Sequence, residues 1–523
     1  MMRRGFLLAL MSFSVATGTG AQEQSPAAAR QRLALYEQEL AFVQLLLDAE
    51  LAHPSCHCVV RHVRVIDVAR GTAMPDMRVE VRAGRIVAMV PDGDAPLPDG
   101  ARPIDGTGRT LVPGLADMHV HQLVSASQHV LHLATGVTTV RDMSGFPWML
   151  EWRARSRADQ WLAPNMIVAG HILNAAPMGM YATLVRSRAQ AVEAVRAQAA
   201  AGYDFIKIHN AVPEPLFSLI ANEARAVGLP FAGHIPHGVS VAHAIGAGMR
   251  TLEHFKGYID DRDLMITVDD WITPTKFGSA WNTPTLYAHR SFLRDSAAAA
   301  WFVSEEARYV PALTKARWRD VADEPVQQIH ASLQSKQQAV MRQLLPHTTR
   351  FLAGTDAGGG YPFMVPGYAL HEELRLLNET GLPALETLRA ATLYAAEAAG
   401  RSGEFGEVAV GARADLLLVD GSPLDDLARL RRPHGVMLRG RWFDRAALDA
   451  ILARLAVIAA ETPAIASDAS PATAAWADDF ARRVRELQSA GYLFPSHHLA
   501  EMAEALRTLG HNAAADTLAP AGG

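Results

Sequence analysis

Two histidines one residue apart, His119 and His121, close the stretch Pro113-Gly114-Leu115-Ala116-Asp117-Met118-His119-Val120-His121. On an extended strand the side chains at i and i+2 leave the same face, so these imidazoles can meet at one cation. Alone the pair says little, because imidazoles recur on strands by chance. Four further residues change its weight, each at the end of a short apolar run with strand character. Lys207 follows Phe205-Ile206, His234 follows Phe231-Ala232-Gly233, His254 follows Thr251-Leu252-Glu253, and Asp356 follows Phe351-Leu352-Ala353-Gly354-Thr355. Each has a plainer reading in isolation (a satisfied core histidine, a snorkelling lysine, a turn-capping aspartate). Side chains at the carboxyl ends of parallel barrel strands, however, converge on a single centre. The expected site is one or two divalent metal ions held by His119, His121, Lys207, His234, His254 and Asp356. Zn²⁺ suits so His-rich a set, with Mn²⁺ or another first-row ion able to replace it. Such a centre lowers the pKa of a bound water towards ~7 and directs the hydroxide at an amide or ester carbonyl. Asp356, ligand and catalytic base together, takes the proton and passes it to the leaving amine. Lys207 is the awkward member, since a protonated ammonium has no lone pair and is repelled by a cation.

These side chains need a frame that gathers strand ends. From 113 to 405, strand-like runs (136–141, 165–169, 204–209, 230–234, 250–254, 282–286, 350–354) alternate with Ala-rich helical patterns such as 189–201 and 216–227. That repetition predicts an α/β chain folded as a (β/α)8 TIM barrel. The segment 260–349 is long for one or two such units and carries Trp271, Trp281, Trp301 and Trp318. It is expected to lay extra helices over the barrel mouth, core aromatics being an equal reading. Short β-rich pieces on both flanks, at 59–112 and 406–445, can pair into one sheet and make a small discontinuous domain. Leu33, Tyr36, Leu40, Val43 and Leu47 form a stripe at helical spacing within 30–52, to pack on the body or on a partner subunit. Beyond an Ala/Pro/Ser-rich linker near 461–474, an amphipathic pair is expected at 480–488 and 499–509. The expected layout is a leader at 1–21, an N-terminal helix within 22–58, the β domain at 59–112 plus 406–445, the barrel at 113–405 and a helical extension at 446–523.

The remaining features bound the setting. A chain of 523 residues is long for one simple domain, and 49% hydrophobic with 20% charged residues suits a globular enzyme. A net charge of −5 offers no basic footprint for nucleic acid. Arg3 and Arg4 precede an apolar stretch from Phe6 towards Val15, then the small residues Thr19-Gly20-Ala21, which is the layout of a signal peptide. A periplasmic or secreted protein is therefore expected. No later run approaches the ~18 apolar residues of a membrane span. The only cysteines, Cys56 and Cys58, are separated by one position, so a bridge between them is expected to be strained. A metal clip with His53 and His57 cannot easily become tetrahedral, which leaves a short loop entering a strand as the expectation. The helices at 30–52 and beyond 475 offer faces for a homo-oligomer.

The ordered set of strand-end residues resembles the amidohydrolase superfamily over about residues 59–445. Its imidazolonepropionase-like and Xaa-Pro-dipeptidase-like members look nearest. The resemblance extends to Gly136-Val137-Thr138-Thr139-Val140-Arg141-Asp142, to Gly354-Thr355-Asp356 and to Gly411-Ala412-Arg413-Ala414-Asp415-Leu416. It implies a (β/α)8 barrel beside a small β-sandwich drawn from both flanks. It also implies a binuclear centre with His119 and His121 on strand 1, an N6-carboxylated Lys207 on strand 4, His234 and His254 on strands 5 and 6, and Asp356 on strand 8. Carboxylation makes the lysine an anionic bridge between two metals. The implied activity is hydrolysis of a peptide-like C–N bond in a small molecule, a dipeptide or an N-acyl amino acid. The same site would serve a cyclic amide, lactone or ester hydrolase. From a different class, an inactive barrel acting as a binding protein predicts lost ligands, yet all six stand. Substrate contacts are sought in loops after strands: Tyr181 after strand 3, His237 after strand 5, and His371, which opens a helix after Asp356 where simple capping is the alternative.

Overall fold

The computed structural model describes residues 25–518 except 94–95, 122–124, 180, 260–268, 293–299, 321–323, 359–360, 462, 464, 466–470, 491, 493 and 495. The expected leader at 1–21 lies outside the described residues. Five strands come first: β1 (Cys58–Asp67), β2 (Thr72–Arg82), β3 (Arg85–Pro91), β4 (Arg102–Asp105) and β5 (Arg109–Pro113). The middle of the chain supplies β6 (Leu115–Val120), β7 (Val137–Asp142), β8 (Asn165–Val168), β9 (Ile172–Asn174), β10 (Ala182–Leu184), β11 (Ile206–Ile208), β12 (Phe231–Gly233), β13 (Thr251–Glu253) and β14 (Trp281–Thr283). The return gives β15 (Leu416–Asp420), β16 (Gly435–Leu438) and β17 (Arg441–Asp444).

Middle strands pair in parallel, in the orders β6-β7-β8 and β10-β9-β11-β12-β13-β14. Every residue of β6, β7, β11, β12, β13 and β14 is buried, as strands covered on both faces must be. Helices fill the crossovers, among them Ala126–Ala134, Pro147–Arg157, Arg188–Ala201 and Glu214–Ala226. Ser187 caps the start of the third of these through the Gln190 amide, and Gly202, at φ 83, ends it. Single parallel bridges link Ala169, past β8, to Phe205, before β11, and link the segment after 350 to both sheets, Asn282 to Phe351 and Val120 to Ala357.

One expected strand, and the start of the β-rich flank at 406–445, do not form as regular strands. At 350–354 only Phe351 bridges, while the amide of Leu352 donates to Asn282 (2.8 Å) and the amide of Met118 to the Ala353 carbonyl (2.9 Å). Beyond Gly354, where a Cβ would lie 2.8 Å from the Cβ of His119, the chain bonds to β6 instead: the amide of Asp356 donates to the His119 carbonyl (2.7 Å) and that of His121 to the Ala357 carbonyl (2.7 Å). The segment 407–410 is irregular as well, flanked by Gly406 and Gly411 at φ 85 and 92, and it meets the sheet through the Gly411 amide to Ile86. β9 and β10, three residues each, were not anticipated.

The flanking strands form one eight-stranded sheet, in the order β17-β16-β15-β5-β1-β2-β3 with β4 beside β1. It wraps its own core of Val60, Val63, Val79, Val81, Leu416 and Leu418. Instead of a free loop at its entry, Cys56 and Cys58 are joined in a disulfide, with their Cα atoms 5.4 Å apart, inside the usual range.

The segment 260–349 carries helices Asp269–Phe277, Leu286–Arg290, Ala312–Asp320 and Glu324–Leu344. The last reaches the strand ends, where Gln337 donates to the carbonyls of Pro284 (2.9 Å) and His254 (3.3 Å). Trp281 and Trp301 also serve the core, Trp301 lying 5.4 Å from Trp318 and 5.1 Å from Phe363 between ring centres; the side chain of Trp271 lies outside the described residues.

The N-terminal helix Pro26–Ala52 begins at Ser25, with Pro26 in the first turn where its missing N–H is harmless. Leu33, Tyr36, Leu40 and Val43 are buried against the helices Arg445–Ala460, Pro471–Ser489 and Ser496–Thr508 of the same chain. A last helix, Asn512–Leu518, follows them. Glu39, also buried, accepts from the amide of Ala126 (2.7 Å), the first residue of the helix that follows β6. Phe480, wholly buried, sits in this layer. Phe480→Ala is expected to remove ~3–5 kcal/mol of stability, seen as a lower denaturant midpoint. An unchanged midpoint would show that the C-terminal helices do not belong to the folded body.

Candidate metal centre

Carboxyl ends of the parallel strands bring the sequence-derived residues together. His121 Nε2 lies 3.0 Å from Asp356 Oδ1, His119 Nε2 lies 3.4 Å from the same oxygen, and His254 Nε2 is 3.9 Å from Oδ2. The ring of His254 stands 4.5 Å from that of His119 and 4.8 Å from that of His234. Lys207 reaches the group by charge: its ammonium acts on His119, His234 and His254 and is acted on by Asp356.

What aims the rings is a set of partners the sequence reading missed. Each of the four imidazoles is held at Nδ1, leaving Nε2 to face the centre: His119 by Glu253 (2.7 Å), His121 by Ser144 (2.7 Å), His234 by Asn210 (2.6 Å) and His254 by Thr285 (2.6 Å). Such supports fix tautomer and ring orientation in metal sites. Their signal in the sequence is faint, amounting to a polar residue just past a strand end or a charge inside an apolar strand. Arg141 within β7 and Glu253 within β13 are of the second kind; Arg141 Nη2 donates to Glu253 at 2.9 Å, both side chains being out of contact with water.

The turn bearing Asp356 is buttressed from below by Asp117, which accepts from the amide (3.0 Å) and hydroxyl (2.7 Å) of Thr355. Burial pushes the Asp117 carboxyl up to about 7. His254, Thr285 and Asp356 take left-handed backbone conformations, with φ 61, 51 and 67. For residues with a Cβ these are sparsely populated, strained geometries that cluster at functional sites.

Electrostatics favour ligation. Burial, followed by the Lys207 charge, brings His119 down to about 4, and burial first also holds His234 and His254 well below the ordinary range. All three rings are thus neutral at pH 7 and carry a lone pair. Burial alone would raise Asp356, but His254, His119 and His121 hold it well below the usual carboxylate range. Lys207 is pushed down to about 8, by burial foremost. Among the described residues, His119 Nε2 and Lys207 Nζ are buried without a hydrogen-bond partner. Ligand atoms of His119, His254 and Asp356 lie within 4.8 Å of one another. Neutral imidazole lone pairs beside a carboxylate are what a cation would satisfy, so His119, His254 and Asp356 fit a divalent metal, and Lys207 could join them only without its ammonium proton.

The second-tier residues are more scattered. Tyr181 is half-buried with its ring 5.9 Å from Phe146, and its carbonyl accepts from Ile172. His237 is exposed, its amide bonded to the carbonyl of Asn210, the residue that holds His234. His371 is buried, with Nε2 2.8 Å from the carbonyl of Thr135 at the end of helix Ala126–Ala134, which ties two helices together. Two residues absent from the sequence reading join the site: His209, its ring 4.1 Å from His234, and Tyr361, hydrogen-bonded to Asp356.

Neutral imidazoles around one carboxylate, set at the ends of parallel strands, make a donor set for a divalent metal. The chain belongs to the amidohydrolase family, whose profile matches residues 110–443. It is 26% identical over 432 residues to adenine deaminase 3 of Rhizobium meliloti (strain 1021), covering 80% of this chain but 61% of that protein's length. Among solved structures it is similar to bottromycin amidohydrolase, with a TM-score of 0.66 and 26% identity over 80% of this chain and 94% of the other. A Bifidobacterium longum protein assigned provisionally as a prolidase superposes with a TM-score of 0.60 at 26% identity, over 77% of this chain and 100% of the other.

Glu253→Gln keeps the shape but strips the charge that faces Arg141. A buried cation left uncompensated costs ~3–5 kcal/mol. Burial alone would raise the Glu253 carboxyl, yet Arg141 and His119 hold it below the usual carboxylate range. Its contribution is therefore present above the unfolded pKa of ~4.3 and fades as pH falls below that value. Denaturation curves should show the variant weaker at pH 7, with the gap narrowing towards acid. Equal stability at pH 7 would overturn this account.

Proposed function

We propose that this protein is a metal-dependent amidohydrolase that cleaves a peptide-like C–N bond, in a dipeptide or an N-acyl amino acid. The observation that carries the reading is the set of four Nδ1-held imidazoles, three of them within 4 Å of Asp356, with the Nζ of Lys207 buried and without a hydrogen-bond partner. The similarity to bottromycin amidohydrolase and to the Bifidobacterium protein supports the substrate class. The three single parallel bridges support reading the two parallel sheets as arcs of one eight-stranded barrel, with 351–354 as its last member.

His119, His121, Lys207, His234, His254 and Asp356 would hold one or two divalent ions, Zn²⁺ by the His-rich donor set. The metal supplies a water acidified to a pKa of ~7 and a polarised carbonyl. The chain does the rest. The four supports hold the rings still, Asp356 accepts the proton of the attacking water, and the same carboxyl returns it to the departing nitrogen. A lysine pushed down to about 8 has a sizeable neutral fraction near pH 7, and a neutral amine is the form that reacts with CO₂ to give the carbamate, so Lys207 is read as carboxylated. Arg3 and Arg4 ahead of an apolar run support export, and the Cys56–Cys58 disulfide suits an oxidising compartment. A homo-oligomer is retained as part of the reading. Attack on a cyclic substrate is the second reading, favoured by the identity to adenine deaminase 3.

Metal-loaded protein assayed on dipeptides, N-acyl amino acids and cyclic amides should turn over members of the first two groups. Turnover of cyclic substrates alone would select the second reading, and no turnover anywhere would sink both. Asn210→Ala frees the His234 ring and should weaken metal affinity ~10–100-fold, measured by competition with a chelator. An unaltered affinity would remove His234 from the ligand set.

A further inference from the structure

Beside Asp356 the mouth of the fold carries a run of aromatic rings that the chemistry above does not use. Tyr361 is hydrogen-bonded to Asp356. Its ring meets Phe292 edge to face, with centres 5.6 Å apart, and lies 6.4 Å from His289. Phe292 in turn stacks on His330 at 3.7 Å and 12°. His289 and His330 are joined through their Nδ1 atoms at 2.9 Å.

Three elements build this wall. His289 and Phe292 follow β14, Tyr361 lies five residues beyond Asp356, and His330 belongs to the long helix Glu324–Leu344. The first two elements are laced together where Tyr287 donates its hydroxyl to the carbonyl of Phe363 (3.2 Å). The long helix is pinned to the same strand ends through Gln337. Behind Tyr361 sits an apolar cluster of Ala288, Ala357, Met364 and Ala369. The wall is thus backed by packed side chains. Phe292 is buried, whereas Tyr361, His289 and His330 each keep part of their surface open. Burial brings His330 down to about 4, so that ring is uncharged at neutral pH.

Stacked and edge-to-face rings around an uncharged imidazole recognise another ring or a bulky apolar group by dispersion and quadrupole contacts, with little to offer an ion. We infer that Tyr361, Phe292, His289 and His330 form the pocket for an aromatic or bulky apolar group of the substrate, set directly beside the carboxylate of Asp356. This rests on the hydrolase reading above and narrows its substrate class to peptide-like amides that bear such a group next to the scissile bond.

The test uses the metal-loaded full chain with matched dipeptides and N-acyl amino acids carrying phenylalanine or alanine on either side of the bond. At least one pair should favour phenylalanine by about tenfold or more in kcat/KM, as a well-fitted apolar pocket does. Phe292→Ala should collapse that ratio, while Ile329→Ala, an exposed neighbour of His330 on the same helix, should keep it. A ratio near one in the wild type, or one that Phe292→Ala leaves intact, overturns the pocket even if hydrolysis is robust. Calorimetric titration with L-phenylalanine and L-alanine separates the two readings. If no substrate turns over but phenylalanine binds more tightly and Phe292→Ala abolishes the difference, the hydrolase reading falls and the pocket stands. If neither amino acid binds preferentially and nothing turns over, both fall.

Discussion

Glu253 is a carboxylate taken wholly out of water, and much of the centre's geometry depends on how its charge is met. One oxygen accepts from Arg141 and the other takes Nδ1 of His119, so a single group binds three strands, β6, β7 and β13, through their interior. Thr251 adds its hydroxyl to the first oxygen, and Arg141 also reaches the carbonyl of Met118 (2.7 Å). Buried ion pairs of this kind gain little net stability over well-packed apolar groups. What this one supplies is orientation, since the imidazole it holds is one of the three whose Nε2 lies within 4 Å of Asp356.

Around that pair the rest of the centre is assembled from strand termini. Gly354 has to lack a side chain for the last segment to lie against β6, and the closeness brings Asp356 opposite His119 and His121. Asp117 then holds the turn from beneath through Thr355. The outer layers serve the same end. Glu39, on the N-terminal helix, caps the helix that follows His121, and Gln337, on the long helix of the mouth, bonds the carbonyl of His254.

The gathering of these side chains at one centre was legible because they share a simple rule: each ends an apolar run, and runs of that kind are parallel strands. Geometry that depends on neighbours was not legible. Glu253 looks in sequence like a polar residue before His254, and only the fold reveals that it points at His119. Ser144, Asn210 and Thr285 carry no periodicity at all, being single polar residues just past strands. The irregular path at 350–354 escaped because its run is as apolar as a true strand, whereas its pairing, one bridge to Asn282 and single bonds to β6, is a tertiary matter. The Cys56–Cys58 bridge was set aside on a spacing argument that the local backbone satisfies. Tyr361 stands five positions beyond Asp356, where no spacing rule applies.

The left-handed backbone at His254, Thr285 and Asp356 has a further bearing. Its strain, of order 1–3 kcal/mol per residue, is met when the chain folds, by bonds to Thr285 and by the packing of the strand ends. Were the centre to hold a metal, donors positioned by folding would leave an arriving ion little ordering work to do. Their fixed spacing would discriminate by geometry, which can oppose the intrinsic rise of affinity towards copper. Which ion such a centre would carry then depends on that geometry and on supply in the compartment where the chain folds.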